Sequence, residues 1–168
     1  MPITPFHFGP GAAIHASAPR HVSFIAFLVV NVGMDVEPLV GMLTGAPRLH
    51  GAVHTYIGAT LAAGLVIALF LLARRWGRGG RLPDPFEWQS LGVGAVALGA
   101  LAGAWSHIVL DSVMHADITP WAPFSNANAL FRIVSLETLH ASCVVAGVLG
   151  LAILGLRHVL SGRGRRGG

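Results

Sequence analysis

Four long apolar runs, separated by short polar segments, limit what this chain can fold into. A helix needs about 20 apolar residues to cross the hydrocarbon core of a bilayer, and each run comes close to or exceeds that length. The predicted spans cover residues of about 22–40, 50–73, 88–114 and 135–160. Hydrophobic residues make up 54% of the chain and charged residues only 11%, which favours lipid over water as the surroundings. The sequence therefore predicts an all-α, integral membrane four-helix bundle.

The remaining segments complete a single membrane-embedded domain of residues 1–168. Residues 8–18 are apolar but too few to span a bilayer, so we expect a short N-terminal re-entrant or interfacial helix there. Gly, Pro and Arg in residues 74–85 predict a solvated loop. Residues 161–168 are expected to form a short, basic, disordered tail.

The arginines predict how the spans are oriented. Nine of the 11 Arg lie before the first span, between the second and third spans, or at and after the end of the fourth, and alternation of the spans puts these segments on one side. Only Arg48 and Arg132 belong to the other side. Because basic segments stay in the cytoplasm, we expect the 74–81 loop and the C-terminus to be cytoplasmic. The arginines lack the aromatic interleaving of RNA-binding surfaces, so no nucleic-acid partner is expected.

The acidic and histidine residues of the runs gather at their Arg-poor ends. They are Asp35 and Glu37 in the first run, His50 and His54 in the second, His107, Asp111 and His115 in the third, and Glu137 and His140 in the fourth. Ionisable groups within membrane spans are costly and usually functional. Carboxylate and imidazole sites in helix bundles draw their ligands from several helices in this way. The alternative is a set of solvated polar helix ends.

The spacing of these residues indicates metal binding. His107, Asp111 and His115 are four residues apart, which puts them on one broad helix face. Eight residues rise about 12 Å, so the two histidines do not easily share one ion, and Asp111 is placed to bridge two. His50 and His54 have the spacing of a chelating pair on a helix. His7 is either a further ligand, if its helix starts at the Arg-poor side, or a histidine on a mobile segment.

Several motifs together resemble a known family. The series TPFHFGPG, GMDVEPL, LHGAVHT and SHIVLDSVMHAD, followed by a Pro-rich loop, is similar to the bacterial inner-membrane predicted metal-dependent hydrolases, a family with a LexA-regulated member. That family looks distantly related to the zinc-dependent phospholipase C and single-strand nuclease superfamily. The resemblance implies a multi-pass protein of the bacterial inner membrane. It implies ligand roles for His7, Asp35, His50, His54, His107, Asp111 and His115. The usual P-D-x-D-H is here Met34 to Pro38, with Glu37 in place of the second Asp.

These features together predict a membrane-bound metal-dependent hydrolase. Mixed His and carboxylate ligation favours one or two zinc ions, with manganese or iron as alternatives. A free carboxylate, Glu37 or Asp117, is the expected general base. The expected partners are the lipid bilayer and a small-molecule or lipid phosphoester substrate. The alternatives are a metal or proton transporter, which the apolar middles of the spans disfavour, and a membrane protein with a structural metal site.

Overall fold

The computed structural model describes residues 5–77 and 85–164, and within these ranges the secondary structure is entirely helical. A 3₁₀ turn (Pro5–His7) leads into α1 (Phe8–Ser17), α2 (Phe24–Met34), α3 (Val36–Thr44), α4 (Tyr56–Gly77), a second 3₁₀ turn (Pro85–Ser90), α5 (Val93–Met114) and α6 (Leu136–Gly164). Residues 78–84 of the predicted loop and residues 165–168 of the predicted tail lie outside the described residues, whereas residues 74–77 of the predicted loop belong to α4. The rest of that tail differs from expectation, since α6 continues to Gly164.

Four helices of the described part are long and apolar enough to cross a membrane, as predicted. They are Phe24–Thr44, which combines α2 and α3, Tyr56–Gly77, Val93–Met114 and Leu136–Leu160. The third span begins later than predicted because Pro85–Ser90 forms a separate 3₁₀ turn. The N-terminal segment is helical over Phe8–Ser17, and its re-entrant or interfacial placement stays a prediction.

The first span is interrupted at Asp35, between α2 and α3, because of Pro38. Proline has no N–H, so the carbonyl of Met34 loses the donor that a regular helix would supply four residues later. Flanking backbone bonds, from Asp35 N to Asn31 O and from Leu39 N to Asp35 O, are both 3.2 Å long and keep the two helices continuous. The interruption therefore falls within the polar segment that contains Asp35.

The second span starts later than the sequence suggested. His50 and His54 lie in the loop before α4, so the prediction of a chelating pair on a helix is wrong. Thr55 ends this loop, because its Oγ1 accepts a hydrogen bond of 2.9 Å from the backbone of Gly58. The positions of the two histidines are therefore set by loop contacts and not by helical geometry.

The core of the bundle is built mainly from small side chains around α5. It comprises Ala26, Val30, Met34, Ala59, Ala63, Val96, Ala100, Ala104 and Ile108. Small residues let helix backbones approach closely in lipid. Gly103 of α5 shows how close α2 lies, because a Cβ there would be 2.7 Å from Val30 Cγ1 and 2.9 Å from the carbonyl oxygen of Phe27.

Helix α1 packs against α6 through glycines. A Cβ at Gly9 would collide with the carbonyl oxygen of Cys143, and one at Gly150 would lie 2.6 Å from the backbone of Ala12. This close contact holds the start of α1 against the bundle and leaves the side chain of His7 only 2% exposed. The N-terminal turn thus adds a histidine to the interior of the four-span bundle.

Candidate metal centre

The structure brings all seven predicted metal ligands together. They form three groups whose ligand atoms lie within 4.8 Å of one another: His7, His107 and Asp111; Asp35, His54 and His107; and His50, Asp111 and His115. Six of these residues are buried and His115 is partly buried. The groups overlap, because His107 and Asp111 each belong to two of them.

Asp111 of α5 lies at the centre of the cluster. Its Oδ1 is 2.9 Å from Nε2 of His7, and its Oδ2 is 3.2 Å from Nε2 of His107. The imidazole of His54 approaches the same Oδ2 to 3.6 Å. One carboxylate therefore faces histidines from the N-terminal turn, from the loop before α4 and from its own helix.

His107, one helical turn before Asp111, links the remaining ligands. Its Nε2 lies 3.6 Å from Oδ1 of Asp35 and 3.3 Å from Nε2 of His54. The ring of His7 stacks on the His107 ring, with centroids 4.4 Å apart. These contacts join the interrupted first span, the loop before α4 and the start of α1 at one point of α5.

The outer nitrogen of three histidines is held by an oxygen from another part of the chain. Nδ1 of His107 lies 3.0 Å from Oδ1 of Asn31, and Nδ1 of His54 lies 2.8 Å from Oε2 of Glu37. Nδ1 of His50 lies 2.9 Å from Oδ1 of Asp117. Each oxygen accepts a hydrogen bond, so each Nδ1 carries the proton. In a neutral imidazole this leaves Nε2 with a lone pair, as a metal ligand requires.

Asn31 fixes this orientation with particular clarity. Its amide nitrogen donates to the carbonyl oxygen of Phe27 at 2.8 Å, so its oxygen must face His107. The side chain is almost fully buried within an apolar helix. Asn31 was not among the predicted site residues, although a polar residue one turn before Asp35 in an apolar run is a signal in the sequence.

The electrostatics of the cluster favour a cation. The Nε2 atoms of His54 and His107 present lone pairs to each other at 3.3 Å and lie beside a carboxylate, an arrangement that repels unless a proton or a metal ion lies between them. Asp111 Oδ1 is buried and lies 2.9 Å from Nε2 of His7, which compensates the carboxylate charge only when that imidazole is protonated. A buried charge without a compensating partner is costly. Neutral imidazole nitrogens beside a buried carboxylate are a donor set that fits a divalent metal ion.

His115 occupies a different position from the one predicted. Helix α5 ends at Met114, and His115 has extended backbone angles (φ −118°, ψ 126°), so it leaves the helical face of His107 and Asp111. Its ring instead lies 4.4 Å from that of His50. Burial lowers the pKa of His115 below the usual 6.5, although the charge of Asp111 opposes the shift. The side chain is therefore neutral at neutral pH, which is the form that binds metals.

Neither predicted general base is a free carboxylate. Glu37 accepts hydrogen bonds from Gly51 N, Val53 N and His54 Nδ1. Asp117 accepts from the backbone of Leu49 and from both the backbone and the ring of His50. Burial raises the pKa of Asp117, but the hydrogen bonds from His50 and Leu49 outweigh it and hold the pKa below the usual 3.8. These carboxylates satisfy the donors of the loop and orient its histidines.

Contrary to the prediction, Glu137 and His140 at the start of α6 lie outside the cluster. Glu137 is exposed. His140 stacks on Phe6, with ring centroids 4.2 Å apart. Among the described residues, no potential metal group includes either of them. The group around His107 and Asp111 therefore includes His7 of the N-terminal turn and not a residue of the fourth span.

No family model, no curated protein and no solved structure matches this chain. The four apolar helices and the buried cluster define the class of protein, which is a helical membrane protein with His and Asp residues that could hold a metal ion. The resemblance based on the motifs stays a prediction.

Proposed function

We propose that this protein is a membrane-embedded, metal-dependent hydrolase that acts on a phosphoester. The observation that carries the proposal is the sharing of Asp111 and His107 among three ligand groups. Two-metal hydrolytic sites place ions about 3.5–4 Å apart, close enough to share ligands in this way. A structural zinc site, in contrast, needs only four ligands around one ion.

One or two ions would be held by the seven clustered residues. His7, Asp35, His50, His54, His107, Asp111 and His115 supply imidazole and carboxylate donors, which favour zinc, with manganese or iron as alternatives. When bound, such cations would lower the pKa of water toward neutrality and stabilise the negative charge that develops on a phosphoester.

The chain itself orients the imidazoles of the metal centre. Glu37, Asp117 and Asn31 hold three imidazoles in place, so we assign the two carboxylates a positioning role.

In the proposed reaction, the oxygen of water forms a bond to phosphorus and the ester P–O bond breaks. The leaving oxygen takes up a proton from the water, and no oxidant or reductant is involved.

The surroundings of the cluster favour hydrolysis over transport. Next to the cluster, α2, α4 and α5 pack through a group of apolar side chains, in which Met34 and Ile108 adjoin Asp35 and His107 in sequence. A transport path would need polar groups or water through this region. Side chains at the rim are more accessible, since Glu37 is 25% and Asp117 36% exposed. Water and substrate would therefore reach the cluster from the rim.

The proposed location is the bacterial inner membrane, with the lipid bilayer as partner. The arginine distribution supports a cytoplasmic 74–81 loop and C-terminus. The cluster would then lie toward the opposite face of the membrane.

The decisive experiment compares Asp111→Asn with Glu137→Gln, a matched loss of a carboxylate at the exposed start of α6. Protein purified in detergent is analysed for metal and assayed with bis(p-nitrophenyl) phosphate. We expect Asp111→Asn to lose turnover and part of its metal while remaining folded, and Glu137→Gln to behave as wild type. The double variant His54→Ala and Asp111→Ala should bind no metal.

Two results would contradict the proposal. Metal uptake into liposomes that depends on Asp111, without hydrolysis of any ester, would indicate a transporter. Stoichiometric metal in the wild-type protein, with neither uptake nor hydrolysis, would indicate a structural metal site.

A further inference from the structure

An apolar groove runs along the outer side of the bundle between α2 and α4. Its upper part, toward the start of α4, is a cavity of ≈ 400 Å³ whose lining includes Val30, Gly33, Val53, Leu61 and Leu65. Its lower part, toward the end of α4, is a cavity of ≈ 290 Å³ lined by residues that include Val29, Leu69, Phe70 and Trp88. Val66 lines both cavities, so they adjoin. Along α4 the groove extends from residue 58 to residue 73, a rise of about 22 Å.

The upper end of this groove lies beside the metal centre. Val53 directly precedes His54 in the chain, and its backbone N–H is bonded to Glu37 at 3.1 Å. Gly33, on the opposite wall, lies two residues before Asp35. The two walls of the groove therefore lead directly to residues that bind or position the proposed metal ions.

Aromatic residues show where the groove lies relative to the bilayer. Tyr56 and Trp76, near the two ends of α4, are 20 residues apart, which corresponds to about 30 Å of helix and matches the hydrocarbon thickness of a bilayer. The ring of Tyr56 lies 4.7 Å from that of Trp121, which is 58% exposed, and Trp76 is 61% exposed. Such aromatic residues mark the two interfaces of a membrane. In a bilayer whose two interfaces lie at these aromatic residues, His54 is at the level of the headgroups and the groove below it is at the level of the acyl chains.

We propose that the groove binds one acyl chain of a membrane phospholipid whose phosphate lies at the metal centre. The inference rests on the proposed hydrolase function and specifies its substrate class. An acyl chain is the occupant because the groove faces the lipid, is lined almost entirely by apolar side chains and starts at headgroup depth. The exposed leucines on its α4 wall, Leu61 and Leu65, are 70% and 60% exposed.

The groove can be filled without altering the metal centre. A Cβ at Gly33 would meet nothing within 4 Å, so Gly33→Leu projects a side chain into the groove without a clash. Gly64 of α4 is equally open but does not line the groove, so Gly64→Leu is the matched control. Both variants, and the wild type, are loaded with zinc and assayed with phosphatidylglycerol and with the soluble bis(p-nitrophenyl) phosphate. Phosphatidylglycerol with a photoreactive acyl chain provides a second measurement, in which cross-linked peptides are mapped by mass spectrometry.

We expect Gly33→Leu to lower both phosphatidylglycerol hydrolysis and cross-linking to α4 by at least about tenfold, the effect of excluding two or more buried methylene groups. Its zinc content and its turnover of the soluble ester should match the wild type, and Gly64→Leu should change nothing. Unchanged lipid hydrolysis and cross-linking in Gly33→Leu, beside normal turnover of the soluble ester, would overturn the groove assignment and leave the hydrolase standing. No turnover of either ester by zinc-loaded wild type would remove the proposed function and the substrate assignment with it.

Discussion

Glu37→Gln tests whether the carboxylates around the cluster tune metal binding. In the wild type, Oε2 accepts hydrogen bonds of 2.9 Å from Gly51 N and 2.8 Å from His54 Nδ1, while Oε1 accepts one of 3.1 Å from Val53 N. A glutamine has one oxygen, so its NH₂ group must face at least one of these donors. The variant therefore loses at least one hydrogen bond to a charged acceptor, and each such bond is worth about 1.5–3 kcal/mol.

The expected effect on zinc affinity follows from this loss. A factor of ten in affinity is about 1.4 kcal/mol. A lost bond to His54 therefore corresponds to roughly a 10- to 100-fold weaker zinc affinity when most of its free energy contributes to holding that imidazole. Substitutions of groups that orient metal-bound histidines have effects of this size. The measurement is a zinc titration of detergent-purified protein against a competing chelator of known affinity.

Glu137→Gln is the control, since it makes the same chemical change at an exposed position outside the cluster. Its zinc affinity should equal that of the wild type. Wild-type affinity in Glu37→Gln, or an equal loss in both variants, would refute the assignment of Glu37 as a residue that positions His54.

Two further predictions concern topology and helix packing. Reporter fusions at Gly80 and Gly168 should give fluorescent green fluorescent protein and inactive alkaline phosphatase, because the arginine bias places both points in the cytoplasm, and the opposite pattern at both points would invert the topology. Gly9→Ala should destabilise the protein by about 1–3 kcal/mol, measured by thermal unfolding in detergent, because the added Cβ collides with the backbone of Cys143. Gly155→Ala, at an open position of α6, is its control, and equal melting temperatures of the two variants would show that the α1–α6 contact is not tight.

Helix content and span number could be predicted from the sequence because they depend on local composition. A run of apolar residues in lipid must satisfy its backbone hydrogen bonds internally, so it forms a helix whatever its neighbours are. Helix limits were less predictable where side chains supplied hydrogen bonds to the backbone. The segment from Leu49 to Val53 has enough apolar residues to continue the second span, yet four of its N–H groups are bonded to Asp117 and Glu37 from distant parts of the chain. A pattern within one segment carries no information about such partners.

Six of the seven candidate ligands stand out in the sequence because ionisable residues are rare in apolar runs and are costly there without a partner, whereas the expected ligand role of His7 rested on the motif resemblance. How they meet was decided by tertiary structure. The glycine contacts between α1 and α6 bring His7 to Asp111, and the end of α5 turns His115 toward His50. The engagement of Glu37 and Asp117 also depends on a loop that folds against both. Residue type thus determined the chemistry available to this protein, whereas hydrogen bonds and close packing between distant segments determined which atoms share a site.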